Sequence, residues 1–131
     1  MKLILFPLLL LTGCTTSIDQ YQAALDSYAE TAFGGELEAS LTGAALYQAS
    51  QSRGVVVELG WTQVGRSQFE ETRLLEEHTV LSCLDVSGVS FVDAAGASVL
   101  LERDAERILM EIEFSGSNPP LVANMKEVGQ C

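Results

Sequence analysis

The chain has 131 residues, of which 47% are hydrophobic and 7% aromatic, and its eighteen acidic residues outnumber its seven basic ones. This length fits one domain, and this apolar content is typical of a globular protein rather than a disordered one. A net charge of −11 repels phosphate backbones and anionic lipid headgroups, which argues against nucleic acid as a partner and against a basic membrane-binding patch.

The N-terminus has the three-part pattern of an exported protein. Met1 and Lys2 give a positive start, residues 3–11 form an apolar run, and Leu11-Thr12-Gly13-Cys14 follows. The run is about half of the roughly 20 residues that cross the hydrocarbon, so a transmembrane helix is not expected. The last four residues resemble the lipobox of bacterial lipoproteins. That resemblance implies lipid on the sulfur of Cys14, cleavage before it and a protein anchored at the cell membrane, facing outside the cytoplasm.

The lipobox divides the chain into three parts. Residues 1–13 are the expected signal peptide, residues 14–17 the lipidated cysteine with a short polar spacer, and residues 18–131 a single domain. The removed part contains one base and no acid, which leaves six basic and eighteen acidic residues and a net charge of −12. An ordinary signal peptide with an unmodified Cys14 is the alternative.

Two helices are predicted at the start of the domain. Apolar residues recur at spacings of three and four across 18–32, with Ser17 as the expected cap and Gly34-Gly35 as the expected end. A second helical pattern covers 37–53, and Gly43 is the expected point of any division within it.

Strands are predicted after the helices. Alternation across 55–61 indicates the first strand, and a long strand is expected across 72–85 with Leu75, Leu81 and Cys83 on its buried face. A glycine-containing hairpin turn is expected at residues 93–96. The remaining strands are expected at 89–92, 99–101, 108–114 and 121–128. Helices followed by antiparallel strands predict an α+β fold.

This order of elements resembles the nuclear-transport-factor-2-like, cystatin-like superfamily. The stretch 82–89, the turn 93–96 and the terminal Cys131 are similar to small exported proteins of high-GC Gram-positive bacteria. The resemblance implies N-terminal helices packed on a curved antiparallel sheet that forms a cone, with a mouth that can hold a ligand. The superfamily contains isomerases and dehydratases and many non-catalytic members, so the fold alone does not choose a function.

Two cysteines remain once Cys14 is assigned to lipid. In an exported protein Cys83 and Cys131 most simply form a disulfide, and closing a loop of this length contributes about 4 kcal/mol. A catalytic thiol and an intermolecular bridge are the alternatives. The resemblance to the high-GC proteins implies the same pairing of a mid-strand cysteine with a C-terminal one. The chain has no CxxC and one histidine, so no metal site and no cofactor are expected.

His78 is the only histidine and the candidate general acid or base. On the predicted long strand it is in register with Glu76. If that face lined the cone, His78 with Glu76 or a tyrosine could transfer protons, as in a lyase or isomerase of the ketosteroid-isomerase kind. The alternative is that both side chains face water.

The aromatic residues offer a second kind of site. Tyr21 and Tyr28 share the stripe of the first helix and are expected in the core, or alternatively in a pocket beside Trp61. Asp85 is expected to order the turn that follows it. The sequence therefore favours a non-catalytic binding or accessory domain that recognises a protein or a small molecule. The ketosteroid-isomerase-like enzyme is the alternative function, and a homodimer is left open.

Overall fold

The computed structural model describes residues 5–103 and 105–131, with side chains described from residue 18 onward. Within these ranges two α-helices and one short 3-10 helix precede seven strands. The helices are α1 (Leu5–Gly34), the 3-10 helix (Leu37–Ala39) and α2 (Gly43–Glu58). The strands are β1 (Thr62–Val64), β2 (Gln68–Glu76), β3 (Thr79–Asp85), β4 (Ser90–Val92), β5 (Ser98–Val99), β6 (Arg107–Phe114) and β7 (Val122–Gln130).

The α+β prediction is confirmed, because both helices come first and pack against antiparallel strands. The strands form two sheets, a large one in the order β2-β3-β6-β7 and a small one in the order β1-β4-β5. In the large sheet Val80 lies opposite Ile112, and Phe114 lies opposite Val122. A parallel bridge between Leu41 and Val122 ties the segment before α2 to the edge strand β7.

The core lies between the helices and the large sheet. The α1 stripe predicted from the sequence is buried there, with Leu25 fully excluded from solvent. Burial of each large apolar side chain contributes roughly 1.5–3 kcal/mol, so this layer dominates the stability of the domain. The buried core residues are Tyr21, Leu25, Ala29, Leu37, Leu41, Ala45, Phe69, Val80, Ile112, Phe114 and Val122.

Two predictions for the helices are wrong. Ser17 is not a cap, because α1 starts at Leu5 and passes through it, as expected when an apolar run that favours helix directly precedes the stripe. Residues 55–58 are the end of α2 rather than a strand. An existing helix gains one hydrogen bond for each residue it adds, and this outweighs the β preference of three consecutive valines. The division predicted at Gly43 is confirmed, since α2 starts there.

The predicted long strand 72–85 is also wrong, because it is a hairpin of β2 and β3 with its turn at Glu77 and His78. Neither residue is a usual turn former, so the sequence contains no turn signal at this point, although His78 adopts a positive φ of 62° in the structure. Register shifts in β2 move side chains between faces, which leaves Leu75, predicted to be buried, 50% exposed. The turn predicted at 93–96 is confirmed, and the Asp93 carboxylate accepts hydrogen bonds from the backbone of Ala95 and Ala97.

Candidate ligand-binding cavity

A cavity of about 640 Å³ lies between the two helices, the small sheet and the helix-facing side of the large sheet. This volume falls within the range of about 300–1,000 Å³ that is typical of small-molecule sites. Every layer of the fold contributes to its wall, so the cavity exists only in the assembled domain. The apolar side chains on which the argument depends are Tyr28, Phe33, Trp61, Phe91, Met110 and Met125.

The aromatic wall comes from the small sheet. Trp61 precedes β1 and Phe91 lies on β4, and the two strands pair directly. Their ring centroids are 5.9 Å apart with planes tilted by 44°, an arrangement that aromatic pairs favour. The opposite wall is more adaptable, because Met110 on β6 and Met125 on β7 have flexible, polarisable thioethers. The cavity can therefore accept apolar ligands of more than one shape.

Arg53 on α2 is the one charged residue among the described residues that line this cavity. Its guanidinium donates to the carbonyl oxygens of Gly35 and Thr31, both at 2.6 Å, and to that of Ala32 at 3.3 Å. These carbonyls end α1, where the helix dipole is negative, so the arginine both caps α1 and joins it to α2. Three contacts hold the guanidinium in one orientation at the cavity wall.

Tyr28 brings a hydroxyl to the same part of the cavity. Burial raises the pKa of this phenol, because the phenolate is poorly solvated there, and the nearby positive charge of Arg53 offsets part of that increase. The phenol is therefore a neutral hydrogen-bond donor at ordinary pH. Its ring lies 6.0 Å from that of Phe69, which packs it against the large sheet.

A second arginine lies beside the cavity but is already paired. Arg66 lies over the ring of Phe33, with its guanidinium carbon 5.2 Å from the ring centroid, and also forms an ion pair with Glu30 at 2.5 Å. The pair cancels most of the charge of Arg66. Phe33, which lines the cavity and is 40% exposed, carries Arg66 against one side of its ring.

Two other depressions are less suited to a ligand. One of about 200 Å³, between α1 and the loop 118–121, is below the usual size of a small-molecule site. The other, of about 330 Å³, lies between α1 and β2 and is walled by charged side chains that include Asp26, Glu30 and Arg66. Neither combines volume with an apolar wall.

The structure brings together two of the three predicted pocket residues. Tyr28 and Trp61 both line the cavity, whereas Tyr21 does not. Tyr21 is 8% exposed, and its ring stacks on Phe114 with centroids 4.5 Å apart. It is a core residue, which is the other role that the sequence allowed for it.

His78 lies in the β2–β3 turn and not on a strand, so its predicted register with Glu76 is wrong. Its Nδ1 shares a hydrogen bond of 3.0 Å with the hydroxyl of Tyr21, and its Nε2 lies 3.3 Å from a carboxylate oxygen of Glu77. The side chain is 48% exposed and does not line the cavity. His78 therefore anchors the turn to α1 about two helical turns before Tyr28, the first residue of α1 that lines the cavity.

Cys83 and Cys131 do not line the cavity. The structure contains a disulfide between Cys83 and Cys131, in keeping with the predicted pair, and it links β3 to the end of β7. The side chain of Cys14 lies outside the described part of the chain. Among the described residues no cluster of three or more histidine, cysteine or acidic side chains is arranged to hold a metal ion. In the same part of the chain no helix combines the length and apolarity needed to cross a bilayer.

Sequence reasoning missed several lining residues. The alternating pattern around Met110 predicts a strand, but it does not indicate which face of the sheet borders a cavity. The helical pattern predicts that a helix ends near Arg53, and nothing local indicates that its partners are backbone carbonyls at the end of another helix. Only the packing of α2 against α1 creates that site.

Comparison with known proteins gives no relative. No protein-family model matches the chain, no curated protein is significantly similar to it, and no solved structure matches its fold. The likeness to the cystatin-like superfamily and the lipobox both stay predictions.

Proposed function

We propose that this protein is a membrane-anchored lipoprotein whose exported domain binds a small, largely apolar molecule in the cavity between its helices and sheets. The observation that carries the binding proposal is the cavity of about 640 Å³ with aromatic and thioether walls. Such walls favour an apolar ligand because its burial removes nonpolar surface from water. The anchoring rests on the resemblance of Leu11-Thr12-Gly13-Cys14 to a lipobox.

The position of His78 does not support the isomerase alternative. That hypothesis needed His78 at the wall of the cone, whereas the side chain lies in the β2–β3 turn and contacts Tyr21 and Glu77. A general acid or base must lie within hydrogen-bond reach of the substrate proton. A protein partner and a homodimer remain predictions.

Ligand binding can be measured through the single tryptophan, Trp61, because it lines the cavity. The fluorescent apolar probe N-phenyl-1-naphthylamine accepts energy from tryptophan, so binding beside Trp61 produces saturable energy transfer. We expect Ala49→Phe to abolish that transfer by filling the cavity with an aromatic ring. Ser50→Phe, the neighbouring exposed position outside the cavity, is the matched control and should leave binding unchanged.

Two results would contradict the binding proposal. One is the absence of saturable transfer at every probe concentration up to its solubility limit. The other is equal transfer in Ala49→Phe and Ser50→Phe, which would place the probe elsewhere on the surface. Anchoring is tested separately by metabolic labelling with palmitate. Label should appear on the wild-type protein and be lost in Cys14→Ala, and an unlabelled wild-type protein would refute the anchor.

A further inference from the structure

The cavity wall contains one charged residue, Arg53, among mostly apolar side chains. Tyr28 lines the cavity near Arg53, because the guanidinium hydrogen-bonds to the carbonyl oxygen of Thr31, about one helical turn after Tyr28 on α1. Trp61, Phe91 and Met125 supply apolar parts of the wall. A ligand that fills this space can bury an apolar body and place one polar group at the Arg53 end of the cavity.

Arg53 has hydrogen-bond donors left for such a group. A guanidinium carries five N–H donors, and the contacts with Gly35, Thr31 and Ala32 use at most three of them. At least two therefore remain. The protein already fixes the plane of the guanidinium, so a ligand that accepts these donors loses little additional side-chain entropy. The Tyr28 hydroxyl adds a further donor, since none of the described residues hydrogen-bonds to it.

The charge at this end is positive, although the protein as a whole is strongly acidic. Arg53 carries a full positive charge, and the C-terminus of α1 offsets it by roughly half a charge. Eighteen acidic residues are distributed over the chain, but none is among the described residues that line the cavity. Beyond a screening length of about 8 Å their repulsion is weak at physiological salt. The local field therefore favours a single negative charge.

We infer that the ligand is an amphiphile with one carboxylate, which binds Arg53 and the Tyr28 hydroxyl while its apolar body packs against Trp61, Phe91 and the two methionines. The inference rests on the proposed binding function and specifies its ligand class. A carboxylate is favoured over a neutral polar group because a charged acceptor makes stronger hydrogen bonds to the guanidinium donors that remain. A dianion would also exceed the single positive charge available.

Displacement of N-phenyl-1-naphthylamine by two isosteric competitors tests this inference. The anion of 1-naphthaleneacetic acid carries a carboxylate, and 1-naphthaleneacetamide is its neutral counterpart. We expect the acid to displace the probe at a concentration roughly tenfold lower than the amide, as charge-assisted hydrogen bonds imply. Arg53→Gln should abolish that preference and Tyr28→Phe should reduce it. Arg73→Gln, on β2, is the control for the loss of one positive charge, and Tyr47→Phe, on α2, is the control for the loss of one phenol hydroxyl. Both controls should retain the preference for the acid.

The outcomes separate this inference from the proposed function. If the probe binds but acid and amide compete equally in the wild-type protein, the cavity is a binding site and the carboxylate is refuted. If Arg73→Gln abolishes the preference as fully as Arg53→Gln does, only net charge matters and the assigned site is wrong. Should Arg53→Gln fail to fold, the comparison between Tyr28→Phe and Tyr47→Phe decides, since equal preference in these two variants overturns the inference.

Discussion

Gly65 connects β1 to β2 in a conformation that only glycine accepts easily. Its φ is +81°, and a Cβ at this position would lie 1.9 Å from the carbonyl oxygen of Gly88, whereas ordinary contacts begin at 3.4 Å. The obstacle is backbone and not the end of a flexible side chain, so the two segments must separate by about 1.5 Å. This junction holds the small sheet, and with it Trp61, against the rest of the domain.

The cost of Gly65→Ala has two parts. A left-handed conformation costs an L residue roughly 1–2 kcal/mol, and forcing packed segments apart typically costs a further 1–3 kcal/mol. We therefore expect the free energy of unfolding to fall by about 3 kcal/mol. That is a large fraction of the roughly 5–15 kcal/mol that stabilises a typical domain.

Two other glycines separate these contributions. Gly96 has a φ of +84° and nothing within 4 Å of a built Cβ, so Gly96→Ala reports the conformational cost alone. Gly116 has open space and no positive φ, so Gly116→Ala should change stability by less than about 0.5 kcal/mol. Urea unfolding of the three variants, followed by Trp61 fluorescence and by circular dichroism, gives the differences. The steric argument is refuted if Gly65→Ala and Gly96→Ala lose the same stability within about 1 kcal/mol.

Four further predictions follow from single contacts. Reducing the Cys83–Cys131 bond, which spans 48 residues, should lower the unfolding free energy by about 4 kcal/mol in urea, and an unchanged midpoint would mean that the bond adds nothing. Leu25→Ala, at a fully buried site, should cost about 3 kcal/mol in the same assay, and a loss as small as that of an exposed leucine variant would contradict its core position. His78→Gly should be about 1 kcal/mol more stable than His78→Ala, because both variants lose the side chain and only glycine accepts the positive φ. Equal stability would remove that explanation. The pKa of the Asp85 carboxyl lies below its ordinary value, mainly because of a hydrogen bond from the Ser87 hydroxyl and next because of one from the Ser87 backbone N–H. Ser87→Ala should therefore raise the pKa of Asp85, measured by a carbon-detected NMR titration. The stabilisation from Asp85 is present above the pKa of this carboxyl in the unfolded chain, and it disappears as the pH falls through the lower pKa of the folded state. If Ser87→Ala leaves the pKa of Asp85 unchanged, Ser87 is not the cause of the shift.

Local sequence signals were sufficient to predict the elements whose conformation depends only on residues close by in the chain. The stripe that contains Leu25 and the turn at Asp93 were both predicted, because helical periodicity and turn chemistry act over a few residues. The β2–β3 turn was missed for the opposite reason. Glu77 and His78 form it because β3 pairs with β6 on its other side and fixes the register, which is a tertiary effect.

The candidate site was harder to predict than the fold. The expected cone predicts that Tyr28 and Trp61 line one pocket, and both line the cavity. The sequence does not indicate that Tyr21, on the same stripe of α1, stacks on Phe114 in the core instead. Arg53 acquires its role from carbonyls at the end of another helix. Periodicity in the sequence predicts which face of a helix or strand is apolar. It does not predict where packed elements leave a cavity between them.

If Cys14 carries the proposed lipid, the length of α1 sets how far the cavity lies from the membrane. The helix contains both Cys14 and Tyr28, and fourteen residues at 1.5 Å each place the cavity about 20 Å along the axis from the proposed attachment point. Tyr21 lies halfway along that distance and holds the β2–β3 turn through His78, so Glu76 and Glu77, which adjoin His78, are held near the middle of that distance. Their like charge repels anionic headgroups and favours an upright domain. An anchored protein of this shape would receive its ligand from the aqueous side rather than directly from the bilayer.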